Sequence, residues 1–98
     1  MKNMVIYQLK KEYLREYGFR TWDMINSKNN IIDMKRYDGI YDFIRENSYT
    51  LDDCFCEFNL NHPHGFKGHS LSVSDVIEVN GELYYIDGFG FKRVKEKL

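Results

Sequence analysis

The sequence predicts an α+β domain: a small antiparallel β-sheet with a C-terminal β-hairpin and one or two short helices. Three observations carry this. Asn80-Gly81 stands between two strand-like runs, residues 72–79 and 82–94, and Asn-Gly is the preferred pair for a two-residue type I′ turn. Leu51, Cys54, Phe55 and Phe58 fall on one stripe of a helix. Residues 4–9 form a breaker-free run with β-branched and aromatic side chains, a strand signal.

Composition sets the bounds. Ninety-eight residues, 43% hydrophobic and 16% aromatic, predict a single domain over 1–98 that buries an aromatic-rich core without metals or disulfides. One Pro and seven Gly exclude a linker-like chain, and the apolar content argues against intrinsic disorder. Cys54 and Cys56 are too few and too close for a secreted disulfide framework. The opening apolar run is too short for a signal-peptide core, and no segment approaches the roughly 20 apolar residues of a membrane span. The expectation is a cytoplasmic protein with no membrane contact.

The elements follow in order. Residues 12–17 form a helical turn that Gly18 interrupts. Thr21 is placed to cap a short helix carrying Trp22 and Ile25. Ser27-Lys28-Asn29-Asn30 reads as a loop. Residues 37–44 fit both a helical and an alternating template, with the balance toward extended chain. Thr50, with Asp53 three residues on, resembles a capping box, and Asn59, Asn61 and Pro63 close that helix. In the hairpin, a two-residue turn sets Val79 opposite Glu82, Ile77 opposite Tyr84, Asp75 opposite Ile86 and Ser74 opposite Asp87. Val76, Leu83, Tyr85 and Phe89 then share the core face, together with Ser72, Ser74 and Asp87, and Gly88 and Gly90 bend the second strand.

The net charge of −1 hides a segregation. Lys and Arg outnumber Asp and Glu by eight to four over residues 1–36, are outnumbered ten to two over 37–91, and lead four to one over 92–98. An acidic middle between basic ends suits either a solvated surface or docking to a basic partner. The tail Lys92-Arg93-Val94-Lys95 is basic, but the acidic middle repels phosphates, so direct nucleic-acid binding is not expected.

Residue types for chemistry are present without the spacing that chemistry needs. Cys54, Cys56, His62 and His64 are zinc-ligand types, but C-x-C followed by H-x-H on a helix points the two thiols about 200° apart. One buried and one exposed free thiol is the expectation, with no metal and no cofactor. His69 with Ser48, Ser70, Ser72 or Ser74 and with Asp75 or Asp87 supplies triad types without a nucleophile elbow; Ser74 hydrogen-bonding Asp87 across the ladder is the simpler expectation. A Cys56–His62 nucleophile pair is weaker still. The Gly65-Phe66-Lys67-Gly68-His69-Ser70 loop lacks the phosphate-loop spacing and leads into a strand, so its glycines are expected to turn the chain while Phe66 fills the core.

Asn61-His62-Pro63, the run Phe66-Lys67-Gly68-His69-Ser70-Leu71-Ser72-Val73-Ser74-Asp75-Val76-Ile77, then Tyr85-Ile86-Asp87 and Gly90-Phe91 resemble the YodL-like domain of Firmicutes and their mobile elements. Ile6-Tyr7-Gln8-Leu9 resembles that family's first strand. Together these cover about a third of the chain; His64-Gly65 stands where the family often has an acidic residue. The resemblance implies small stand-alone proteins, or modules of large phage and conjugative-element proteins, often near antirestriction genes. It brings no catalytic set. Phe66, Lys67, Gly68, His69, Ser72, Ser74, Asp75, Tyr85 and Asp87 are the motif positions, structural or functional.

The functional expectation is a non-enzymatic, protein-binding accessory factor of a mobile element, inhibiting a host defence nuclease such as a CRISPR effector or a restriction complex. Asp38, Asp42, Asp52, Asp53 and Glu57 would supply charge, and Tyr41 and Tyr49 exposed aromatic anchors. The alternatives are a host regulatory protein binding a cytoskeletal or enzyme partner, and a small hydrolase or nuclease using His69 with Asp75 or Asp87.

Overall fold

The computed structural model describes residues 1–25 and 29–97. Ser27 and Lys28 of the expected loop lie outside these. Strand β1 (Lys2–Leu9) leads into helices α1 (Lys11–Tyr17) and α2 (Trp22–Ile25). Strand β2 (Ile31–Ile32), a 3-10 turn (Met34–Arg36) and strand β3 (Tyr37–Arg45) follow, then helix α3 (Leu51–Leu60) and strands β4 (Val76–Val79), β5 (Glu82–Ile86) and β6 (Phe91–Glu96). The strands form one sheet in the order β2-β6-β5-β4-β1-β3. It is antiparallel except at β2, which pairs with β6 in parallel, so the sheet is mixed. The fold class is α+β, with three short α-helices among the described residues where one or two were expected.

β1 is central because it can be. Met4, Ile6 and Gln8 are buried on one face, and Leu9 is buried on the other, so alternation lets the strand serve two cores. On one face Met4, Ile6, Phe43, Ile77 and Ile86 meet Cys54 and Phe58 of α3 and Phe66 and Leu71 of the loop after it. On the other, Leu9, Tyr37, Val76, Leu83, Tyr85 and Val94 meet Trp22, with Tyr13, Leu14 and Tyr17 of α1 packed against them. The Tyr85 and Trp22 rings meet edge-on at 5.0 Å, the geometry the ring quadrupoles favour.

α3 starts as its sequence dictates. The Thr50 side chain accepts from Asp53 N, and the Asp53 carboxylate accepts from Thr50 N, completing the capping box. Cys54 and Phe58 are buried while Cys56 is exposed. The helix is capped at Asn61. Tyr37–Arg45, the ambiguous stretch, is strand.

The hairpin forms with the expected register over Val76–Val79 and Glu82–Ile86. Asn80 (φ 49°) and Gly81 (φ 87°) both adopt the left-handed backbone that a type I′ turn requires. Three expectations around it are corrected. The first strand starts at Val76, not at residue 72: Asp75 N donates to Ser72 O, closing a turn that holds Ser74 at φ 90°. The second run is two strands, β5 and β6, separated by a turn in which Asp87 N donates to Gly90 O. Phe89 sits at the tip of that turn, fully exposed rather than in the core. The opposite hairpin face is core too, since Ile77 and Ile86 are buried against the α3 side.

Ser74 does not hydrogen-bond Asp87. Ser74 N donates to Ile86 O while Ile86 N donates to Asp75 O. Two residues therefore oppose one, a β-bulge that shifts the register just where the pair was expected. Both side chains turn instead to the chain between α1 and the start of α2. Ser74 Oγ accepts from Phe19 N at 3.1 Å, and Asp87 Oδ1 accepts from Trp22 N at 2.9 Å.

Candidate functional site

Beneath the 66–75 loop, the far end of β1 presents Gln8, an amide in an apolar strand. Because Met4, Ile6 and Gln8 alternate onto one face, Gln8 enters the core with hydrogen bonds to satisfy. Its Nε2 donates to His69 O at 2.9 Å and to Asp75 Oδ2 at 3.2 Å, and its Oε1 accepts from His69 N at 3.2 Å. Asp75 Oδ2 also accepts from Ser72 N at 3.0 Å. Asp75 is only 2% exposed, and burial pushes its carboxyl up to about 7, against the opposing pull of His69, the Ser72 N–H and Gln8.

His69 completes the cluster. Its Nδ1 lies 4.0 Å from Asp75 Oδ2 and 2.7 Å from the Ser70 carbonyl oxygen. The same Nδ1 lies 3.2 Å from Gln8 Nε2, so the carbonyl suits a protonated Nδ1 and the amide a bare one, and the tautomer sets which contact is the hydrogen bond. Chemically, the cluster pairs a carboxyl of raised affinity for protons with a part-exposed imidazole. Gly68 makes the approach possible. A Cβ there would collide with Gln8 Oε1, so any other residue would force a shift.

The remaining motif positions are structural in their contacts. Phe66 is buried and packs edge-on against Phe58 at 4.9 Å. Leu71 is tied to α3 through its backbone: Leu71 N donates to Asn59 Oδ1 and Asn59 Nδ2 to Leu71 O. Lys67 is exposed. Tyr85 is fully buried, and its hydroxyl donates to Arg20 O. Asp87 belongs with Trp22, outside the His69–Asp75 cluster.

The expected acidic surface divides. Glu57 is engaged internally: Arg45 Nη2 donates to it at 2.6 Å and the Tyr49 hydroxyl at 2.6 Å. Tyr49 and Tyr41 are half-buried rather than exposed anchors, and Tyr41 packs on Phe43, Phe58 and Phe66. Asp53 is held by the capping box, which keeps its carboxyl below the usual range. Asp38 and Asp42 on β3, Glu46 just after it and Asp52 on α3 are exposed, and their carboxylates have no hydrogen-bond or ion-pair partner among the described residues. Asp52 faces the β5–β6 turn, lining a shallow cavity with Phe55, Ile86 and Phe91, so the group on β3 is Asp38, Asp42 and Glu46.

Sequence reasoning missed Gln8 as a site residue. The available signal was its place in the alternation of β1, a lone amide aimed at the core. The Cys54 and Cys56 thiols diverge as expected: Cys54 is fully buried and its thiol is pushed up to about 12 by that burial, whereas Cys56 is exposed. No helix among the described residues is long and apolar enough to cross a membrane.

The family model for the YodL-like domain matches residues 3–96. The likeness read from scattered motifs thus extends over nearly the whole chain. No curated protein and no solved structure matches it.

Proposed function

We propose a role from two facts: the chain belongs to the YodL-like domain family, and three exposed carboxylates without a side-chain partner among the described residues lie along and just after one end strand of the sheet. The role is that of a cytoplasmic, non-enzymatic, protein-binding accessory factor of a mobile element, which inhibits a host defence nuclease of the CRISPR-effector or restriction type. The observation that carries it is the placement of Asp38, Asp42 and Glu46 along and just after β3, four strands across the sheet from Lys92, Arg93 and Lys95 of β6. Such a surface is complementary to the basic groove with which a nuclease holds nucleic acid, and complementarity of this kind sets association rate and partner choice.

The test is co-expression with a panel of defence nucleases, followed by titration against any that is blocked. Stoichiometric inhibition that weakens with salt is expected. Protection against none of the panel would favour a host regulatory protein with a cytoskeletal or enzyme partner. A second reading, a small hydrolase or nuclease, draws on the approach of His69 to Asp75. Inhibition far below one protein per nuclease, abolished by His69→Ala, would establish that reading instead.

A further inference from the structure

We propose that the outer edge of β3 accepts a basic, extended segment of a protein partner as an added strand, with Lys or Arg side chains over Asp42 and apolar side chains continuing the Phe43 face. This rests on the protein-binding reading above and names its contact.

β3 is the long end strand of the sheet. It runs for nine residues and pairs on one side only, with β1. The other end of the sheet is closed by the two-residue β2. A strand paired on one side leaves alternate N–H and C=O groups facing outward, a ready template for another strand.

The two faces of this edge differ in chemistry. Toward α3, Phe43 is buried, and the half-buried Tyr41 lies 5.8 Å from the Phe58 ring and 5.7 Å from Phe66. That face ends in an apolar rim. On the other face, Asp42 is exposed and stands in one cross-strand row with Val5 of β1 and Glu78 of β4. Ile44, 55% exposed, follows two residues along the same face. On the same face the Tyr7 hydroxyl donates to Glu78 Oε1 at 3.1 Å, and its phenol is pushed up to about 12 by burial, by that hydrogen bond and by the nearby Glu78, Asp42 and Glu96 carboxylates.

Charge chooses the occupant. A second copy pairing on the same edge would double the carboxylates along it, Asp42 on the Val5 face and Asp38 on the Gln8 face, and like charges brought together are unfavourable. β3 also carries a bulge: Ile6 pairs with Tyr41 and Tyr7 with Gly39, leaving Ile40 extra, which interrupts a long self-ladder. A segment alternating Lys with Val meets both faces. Its ammonium groups offset Asp42, their aliphatic stems lie along Ile44, and its valines extend the Phe43 and Tyr41 rim.

The experiment is an NMR titration of the isotope-labelled chain with a blocked decapeptide of alternating Lys and Val. Its Glu/Val counterpart, and a Lys/Val peptide methylated at every backbone nitrogen, run in parallel. Shift changes centred on the amides of residues 38–44 with the Lys/Val peptide, and binding at least tenfold weaker with either other peptide, are the expected results. Asp42→Lys, checked by its melting curve to be folded, should lose at least tenfold as well. No change on β3, equal binding of the methylated peptide, or pairing of two copies through β3 in place of peptide binding would overturn the proposal. So would a nuclease inhibited equally by the parent and Asp42→Lys, an outcome that leaves the protein-binding reading standing. Peptide binding on β3 without inhibition of any nuclease would support the edge and remove the inhibitor role.

Discussion

Burying the Asp75 carboxylate takes it from water and gives it the Gln8 amide and the Ser72 N–H as donors, with His69 at 4.0 Å. Its pKa rises from 3.8 to about 7. Between those values the folded chain holds a proton that the unfolded chain has released, so this group favours folding at acid pH and that contribution fades as pH rises through 7. Asp75→Asn stays neutral throughout. The melting temperature of the parent relative to Asp75→Asn should therefore fall steadily from pH 4.5 to pH 8, and a constant difference would show that Asp75 ionises normally. Cys54 and Cys56, two residues apart on α3, give a second residue-scale contrast. The thiolate is the reactive form; burial raises the Cys54 thiol to about 12, and Cys56 is exposed. A disulfide reagent should find one fast thiol, absent in Cys56→Ser, with Cys54 reacting only as the chain unfolds. Two fast thiols would mean that α3 does not pack as described.

At the scale of elements, the β4–β5 hairpin is the anchor of the face that carries α1 and α2. Tyr85 is fully buried against Trp22, and its hydroxyl donates to Arg20 O. Tyr85→Ala should cost about 3–5 kcal/mol from lost burial and a residual cavity. Tyr85→Phe should cost about 1 kcal/mol, because only the hydrogen bond to Arg20 is lost. Denaturant melts of the two variants check this, and equal losses would mean that the ring contributes little beyond its hydroxyl. The hairpin and α3 were legible because their signals are local: Asn80-Gly81 demands a particular turn, and Thr50 and Asp53 cap each other across one helical turn. The Ser74–Asp87 pairing was not legible, because the bulge that breaks it depends on Ser74 adopting φ 90°, a conformation sequence assigns more readily to glycine. The break between β5 and β6 was hidden for a related reason. Gly88 and Gly90 fit a bend as well as a turn, and only pairing of β6 back onto β5 decides between them. Gln8 reads as part of a strand, and its partnership with His69 and Asp75 spans more than 60 residues of sequence, so alternation reveals its direction but not its partners.

Across the whole molecule, the net charge of −1 is a poor guide to what a partner meets. Four strand spacings of roughly 4.8 Å put β6 about 19 Å from β3, whereas charges in physiological salt are screened beyond about 8 Å. A partner approaching β3 therefore senses Asp38, Asp42 and Glu46 and little of Lys95 and Lys97 at the other end. For a basic nuclease surface, neutralising the near group with Asp38→Asn, Asp42→Asn and Glu46→Gln should slow association about tenfold at low salt. The three side chains are exposed and have no side-chain partner among the described residues, and such surface changes shift stability by about 0.5 kcal/mol or less, so the melting temperature should hardly move. Lys95→Glu and Lys97→Glu change the net charge by more, yet lie beyond the screening distance and should leave the rate within about twofold at 0.15 M salt. Stopped-flow association kinetics at two salt concentrations separate the cases. If the distant pair changes the rate as strongly as the near group, total charge governs the encounter and β3 does not direct it.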